Sequence, residues 1–263
     1  MKQPRFASLP FRLGTTSYIL EDDILPNVRF LANQVNDIEL VLFEVDDFNN
    51  LPTPSLIREL YAIADDHAMS YTVHFPLDLA FDQKDAADRA VNKLLSVIDA
   101  TRDLEPNAWV MHLDSHRTSP EMSEKELQQW TANAIAALKR VIAQLDDPKQ
   151  VAVENLESYP PEWNHPVITA ANVSECIDIG HLNLQQRDPI AYLSDRLPFT
   201  RVIHWHGIGT RDHQSLTNCS QSEVAAILRL LKEKEYIHTV TLEVFSRADF
   251  ETSLDWIEGA ISA

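Results

Sequence analysis

Ionisable side chains recur at the ends of short apolar runs along this chain: Glu44 in VLFE, His74 in YTVH, His112 in WVMH, Glu154 in VAVE, Asp178 in CIDI, His204 in RVIH and Glu243 in TLE. Imidazole mixed with carboxylate is a ligand set for Zn²⁺, Mn²⁺ or Fe²⁺, and so many acids are tolerable in one place only when cations compensate them. The two-residue period of a strand adds Asp114 to the face of His112, and His206 to that of His204. It leaves open which of His204 and His206 is the ligand. Asp178 and His181 stand in the spacing Asp-x-x-His, and His213 follows Arg211 and Asp212 in a later loop. His67, His116, His165 and His238 fall off this phase and read as surface residues.

Residues so far apart in sequence need an architecture that gathers them. Strand-like runs at 11–19, 37–45, 69–75, 108–114, 150–157, 174–182, 200–208 and 238–246 alternate with helical patterns at 22–35, 53–67, 83–103, 123–146, 162–172 (weak), 188–197, 220–235 and 248–262. Ser123 with Glu126, and Ser220 with Glu223, are helix-start signals. Eight such units in 263 residues come to about 33 residues each, the size of one βα unit of a (β/α)8 barrel, predicted as a single domain over residues 1–263. In that fold all C-terminal strand ends share one rim, so the ionisable residues converge. A doubly wound sheet is the runner-up, but Thr15-Thr16-Ser17-Tyr18 offers no glycine-rich first turn.

Charge and composition narrow the function classes. Against 22 Lys+Arg stand 40 Asp+Glu, a formal charge of −18, with no local basic track, which disfavours nucleic acid as a partner. The five glycines do not fall in a dinucleotide or phosphate-loop spacing. No apolar stretch suits a membrane span or a cleavable leader, so the chain reads as cytoplasmic, with Cys176 and Cys219 as reduced thiols.

In the order His74 in VHFP, His112 in MHLD, Glu154 in VEN, Asp178 and His181 in DIGH, His204 in IHWHG, His213 in RDHQSL and Glu243 in LEVF, the chain resembles the xylose-isomerase-like TIM barrel superfamily over nearly its whole length. That group includes sugar-phosphate isomerases and epimerases and the endonuclease IV type of abasic-site nuclease. The resemblance implies that His74, His112 and Glu154 hold a first metal. Glu154 would bridge to a second on Asp178, His204 and Glu243, with His181 and His213 forming part of a third site. Where the nuclease pattern is Asp-x-His, this chain has Arg211-Asp212-His213, which puts the third ion in question and leaves Arg211 to bind a phosphate oxygen as a charge-assisted fork. Gly207 and Gly209 stand where barrels let backbone N–H groups approach phosphate.

Within the superfamily, FRLGTTSYI, DILPNVRFLA, ELVLFEVDD and TLEVFS are similar to the cobamide-remodelling phosphodiesterases called CbiR. This implies metal-dependent hydrolysis of the phosphodiester in a cobamide's nucleotide loop, releasing cobinamide, with Zn or Mn as the ions and Fe as a third option. Glu154, Glu243, His181 and Arg211 would be catalytic, and Arg211, His206, Asp114, Trp205 and Tyr18 would contact substrate. Tyr18, Phe48, Tyr159, Trp163, Trp205 and Phe245 would offer the corrin ring an apolar platform. The alternative is a sugar or sugar-phosphate isomerase or epimerase with one metal on Glu154, Asp178, His204 and Glu243, in which the two glutamates move protons at adjacent carbons. The pair His74 and His112 separates the two, since a one-metal epimerase does not need it as ligands. A barrel that binds a corrinoid or sugar without turnover would carry these ionisable groups at a cost in stability and with no chemical return.

Overall fold

Short runs of β-branched and aromatic residues form eight parallel strands that close into a barrel in the computed structural model, which describes Phe6 and residues 9–45, 48–115 and 121–262. In chain order the first part runs β1 (Arg12–Thr16), α1 (Ile24–Leu31), β2 (Asp37–Val41), β3 (Glu44–Val45), β4 (Phe48–Asn49), α2 (Pro54–His67), β5 (Ser70–His74), α3 (Lys84–Thr101), β6 (Trp109–His112) and α4 (Glu124–Ile142). It continues with β7 (Val151–Glu154), α5 (His165–Ala171), β8 (Ser174–Asp178), α6 (Ile179–Leu184), α7 (Pro189–Arg196), β9 (Thr200–Trp205), α8 (Gln221–Glu233), β10 (Thr239–Leu242) and α9 (Arg247–Ser262). The barrel order is β1, β2, β5, β6, β7, β8, β9 and β10, which returns to β1, while β3 and β4 form a separate two-stranded hairpin. Eight parallel strands with helices between them match the architecture expected from the alternation of patterns.

The differences lie at element ends and have local causes. The run 37–45 does not continue as one strand, because Asn50 intercepts the ladder: its Oδ1 accepts from Phe43 N at 2.6 Å and its Nδ2 donates to Val41 O at 3.0 Å. Glu44 therefore falls in the hairpin and leaves the barrel wall. The run 174–182 stops at Asp178, whose Oδ1 accepts from His181 N at 2.6 Å and so caps the short helix α6. Ser123 and Glu126 make the expected reciprocal cap of α4. Ser220 caps α8 through Glu223 N, but the Glu223 carboxylate accepts from Asn183 instead of reaching back.

Two apolar layers follow from the strand period. Outward residues such as Ile177, Ile203 and Trp205 pack under the helices in the larger cluster. Inside the barrel, Ala108, Val110, Ala152, Cys176 and Val202 form a second, fully buried cluster of small side chains. Val110, Ala152, Cys176 and Val202 each precede His112, Glu154, Asp178 and His204 by two residues, so this plug is the layer directly beneath the ionisable one. Cys176 and Cys219 are free and buried. Among the described residues no helix is long and apolar enough to cross a membrane.

Candidate metal centre

Strand register sets four of the ionisable residues opposite one another in two pairs. His112 pairs with Glu154 across β6 and β7, and Asp178 pairs with His204 across β8 and β9. Their inward side chains meet around Glu154, whose Oε2 lies 3.3 Å from His74 Nε2, 3.2 Å from His112 Nε2 and 3.3 Å from His204 Nδ1. Glu243, just beyond β10, brings Oε2 to 3.1 Å from His204 Nδ1 and 3.3 Å from His213 Nε2.

Three overlapping donor nests result: His74, His112 and Glu154; Glu154, Asp178, His204 and Glu243; and Asp178, His181, His206 and His213. Glu154 and Asp178 are the shared carboxylates. Cys176 joins Glu154 and His204 in a further grouping from below, where burial pushes its thiol pKa well up. His204 and His206 both face inward but serve different nests. His206 completes the third nest, with Nε2 3.3 Å from Asp178 Oδ1 and its ring stacked on His213 at 4.1 Å. This packing needs Gly180, since a Cβ there would overlap the His206 ring.

Backbone groups orient several of these rings. His74 Nδ1 lies 2.7 Å from Phe75 O, and His181 Nδ1 lies 3.0 Å from Asn155 O, so each donates that N–H, which leaves Nε2 of His74 facing Glu154 and Nε2 of His181 facing Glu157. Asn155 also donates to Asp178 O and accepts from Asp178 N, which fixes the turn out of β8.

Whether cations fit can be judged from the atoms left without partners. Glu154 Oε1, Asp178 Oδ2, Glu243 Oε2, His204 Nδ1 and His206 Nε2 are all buried, and none makes a hydrogen bond. Buried polar groups are normally paired, and five orphans pointing into one volume fit a divalent ion that completes them. The electrostatics agree. Burial alone would raise the Glu154 and Glu243 carboxyls, but His204, with His112 at Glu154 and His213 at Glu243, holds both well below the usual range. Burial opposes an imidazolium at His204, yet Cys176, Glu39, Glu243 and Glu154 outweigh it and hold its pKa well above the ordinary value. Against the same burial penalty, Asp178 and Glu154 carry His181 up to about 9, and Glu243 carries His213 up to about 9.

A pocket of about 270 Å³ opens over the nests, lined by His74, His112, Glu154, His181, His213 and Glu243 together with Val41, Phe43, Leu77 and Phe245, the last 5.4 Å from the His213 ring. Tyr18 stands edge-on to Phe43 at 6.0 Å and is 39% exposed. Other residues expected here lie elsewhere. Arg211 is exposed, with Nη2 3.7 Å from Asp249 Oδ2 and Nη1 donating to Asp212 O, and it does not line the pocket. Trp205 points outward between His204 and His206 and is fully buried among the helices. Asp114 does not line the pocket and accepts from Tyr159 OH at 2.9 Å, and Tyr159 packs on Trp163. The N–H groups of Gly207 and Gly209 are spent on Gln214 O and Arg211 O within their own loop. His116 and the side chain of Phe48 lie outside the described residues.

Two acids that the strand-end phase does not select also reach the cluster. Glu39, in the middle of β2, places Oε2 3.0 Å from His204 Nε2. Glu157, in the loop after β7, lines the pocket with Oε2 3.5 Å from His181 Nε2. Alternation in DIELV was a signal for Glu39, whereas no periodic signal marks Glu157.

A family model described as a xylose isomerase-like TIM barrel matches residues 34–260. Among solved structures the chain is similar to a D-tagatose 3-epimerase-like protein (TM-score 0.79, 18% identity, covering 96% of this chain and 97% of that one). It is also similar to the 3-keto-D-glucoside 4-epimerase YcjR from E. coli (0.72, 14%, 96% and 100%) and to an AP endonuclease, family 2, from Brucella melitensis (0.66, 13%, 94% and 98%). No curated protein matches the sequence.

Proposed function

Since the chain belongs to the xylose isomerase-like TIM barrel family, we propose that it is a metal-dependent hydrolase of a phosphodiester, with the nucleotide loop of a cobamide as its substrate and cobinamide as product. The observation that carries this reading is the sharing of Glu154: one buried carboxylate faces imidazoles from three different strands and belongs to two full donor nests. A reaction needing one cation has no use for the His74 and His112 nest. Cations held there would neutralise charge on phosphate oxygens and activate water.

The chain's own groups divide the remaining work. Glu154 and Asp178 set the spacing between nests. His181 and His213 line the pocket, where they would orient a phosphate oxygen or, with Asp178 and His206, hold a further cation. Glu157 steadies the His181 ring from the solvent side. Val41, Phe43, Leu77 and Phe245 add apolar surface to the same pocket as the acids, which suits a substrate with both a charged ester and a broad hydrophobic ring. Segments such as FRLGTTSYI and TLEVFS support the cobamide assignment by their similarity to the CbiR phosphodiesterases. Incubation with a cobamide and Mn²⁺ or Zn²⁺, followed by mass analysis, should yield cobinamide. Intact cobamide under every metal and redox condition overturns the proposal.

A second reading is a sugar or sugar-phosphate isomerase or epimerase, and the epimerases among the similar structures favour it. Their identities of 14–18% carry the fold and not the substrate. Here one cation on Glu154, Asp178, His204 and Glu243 would hold a ketose while Glu154 and Glu243 exchange protons at neighbouring carbons. Incubating ketohexoses with the protein in D2O separates the readings, since epimerisation incorporates deuterium at carbon and phosphodiester hydrolysis does not.

A further inference from the structure

Glu39 belongs to none of the donor nests, yet it is fully buried at the heart of the barrel. Its strand neighbours in register are Thr16 on β1 and Thr72 on β5, which places it one layer below His74 and level with the apolar plug. A carboxylate in such a place is costly without a compensating partner. The ion-pair partner it has is His204, with Oε2 at 3.0 Å from Nε2, while its Oε1 makes no hydrogen bond.

That single contact has a directional consequence. An ionised carboxylate only accepts, so His204 Nε2 must carry the hydrogen, and the neutral ring then has its lone pair on Nδ1. Nδ1 faces Glu154 Oε2 at 3.3 Å and Glu243 Oε2 at 3.1 Å without hydrogen-bonding to either. A cation among them would take the place of the proton that Nδ1 otherwise holds toward these two carboxylate oxygens. Glu39 therefore aims the ring as well as selecting its tautomer, from the side of the imidazole opposite the nest. His74 and His181 are held in the same sense, but by backbone carbonyls. Only His204 among these three is held by a side-chain carboxylate, and an anionic acceptor also makes the far nitrogen a stronger donor.

We propose that Glu39 is a positioning residue of the metal centre: it locks His204 with hydrogen on Nε2, so that Nδ1 is presented to the cation held with Glu154, Asp178 and Glu243. The inference rests on reading this cluster as a cation site, which both functional readings share, and is independent of the substrate.

The test uses Co²⁺ as a probe with the full chain, following visible absorption and dissociation constant by titration against a chelator. Glu39→Gln keeps an acceptor oxygen but loses the charge, and should weaken Co²⁺ at the His204 nest about tenfold; Glu39→Leu should weaken it about a hundredfold. Both should shift the cobalt absorption of that nest while the ion bound by His74 and His112 keeps its affinity. A merely structural role would instead lower the melting temperature of the cation-free chain and leave the cobalt spectrum unmoved. If Glu39→Leu does not fold, the near-isosteric Glu39→Gln decides. Binding within twofold of wild type with an unchanged spectrum overturns the positioning role alone, whereas failure of the wild-type chain to bind Co²⁺ at all overturns the cation site and this inference with it.

Discussion

Replacing Glu154 by Gln removes the carboxylate common to the first two nests, so its effect should exceed that of any single histidine. Oε2 lies within 3.3 Å of three imidazole nitrogens, and Oε1 is an orphan 3.6 Å from His181 Nδ1. One unit of charge 4 Å from another is worth about 4 kcal/mol at an effective permittivity of about 20, or roughly a thousandfold in affinity. In Glu154→Gln the first two nests should therefore empty at cation concentrations that saturate wild type, leaving at most the ion on Asp178, His181, His206 and His213. His112→Ala should lose one ion and keep the nest on His204. The assay is equilibrium dialysis against Mn²⁺ or Zn²⁺ with bound metal counted per chain by plasma mass spectrometry, alongside thermal melting. Each ion present at about 100 times its Kd adds about 2.7 kcal/mol, which corresponds to about 5–10 °C for a chain of this size. Two or more ions in wild type, one fewer in His112→Ala and at most one in Glu154→Gln are expected. A wild type that holds one ion, undiminished in His112→Ala, would refute the multinuclear reasoning and leave the one-metal scheme.

Other perturbations probe the supports. Gly180→Ala should drive the His206 ring out of its place against α6 and cost the third nest its ion, with little change in the first two; unaltered metal content and an unmoved His206 in a variant structure would contradict this. Asp37 is raised to about 6 by burial, so its charge opposes folding: the benefit of the protonated form is complete below about 3.8 and lost as pH rises through about 6. Asp37→Asn should therefore match wild-type stability at pH 4 and exceed it by up to about 3 kcal/mol at pH 8, measured by urea unfolding at both. Arg196→Ala strands the buried Glu175, which it grips at 2.9 and 2.8 Å, and should cost about 3–5 kcal/mol in the same assay. Phe245→Ala should raise KM for the cobamide with kcat nearly unchanged, because the ring lines the pocket wall and carries no ionisable group.

Much of the cluster was legible because a barrel converts sequence phase into position. Each of His74, His112, Glu154, Asp178 and His204 ends or nearly ends its strand, and Glu243 follows directly on β10. Glu44 shows where that logic stops. It sits at the end of an apolar run, but the wall ends at Val41 because an asparagine nine residues on takes over the backbone hydrogen bonds. The acid that β2 does contribute, Glu39, lies inside the strand, where alternation and not the terminus was the guide. Trp205 was misplaced for the converse reason, since the phase that turns His204 and His206 inward turns the residue between them outward. Arg211 and Glu157 ride on loops, whose side-chain directions have no period to read.

The five small, solvent-free side chains that plug the barrel interior seal it from below. Access to the cluster is thereby left to the pocket at the C-terminal strand ends, which any ion, substrate or product of the proposed reaction would have to use. A bulky molecule lodged against Leu77 and Phe245 would act as a stopper over whatever entered first. On the proposed reading the ions would have to enter before such a substrate, and a chelator added afterwards should strip them only as fast as the occupant departs.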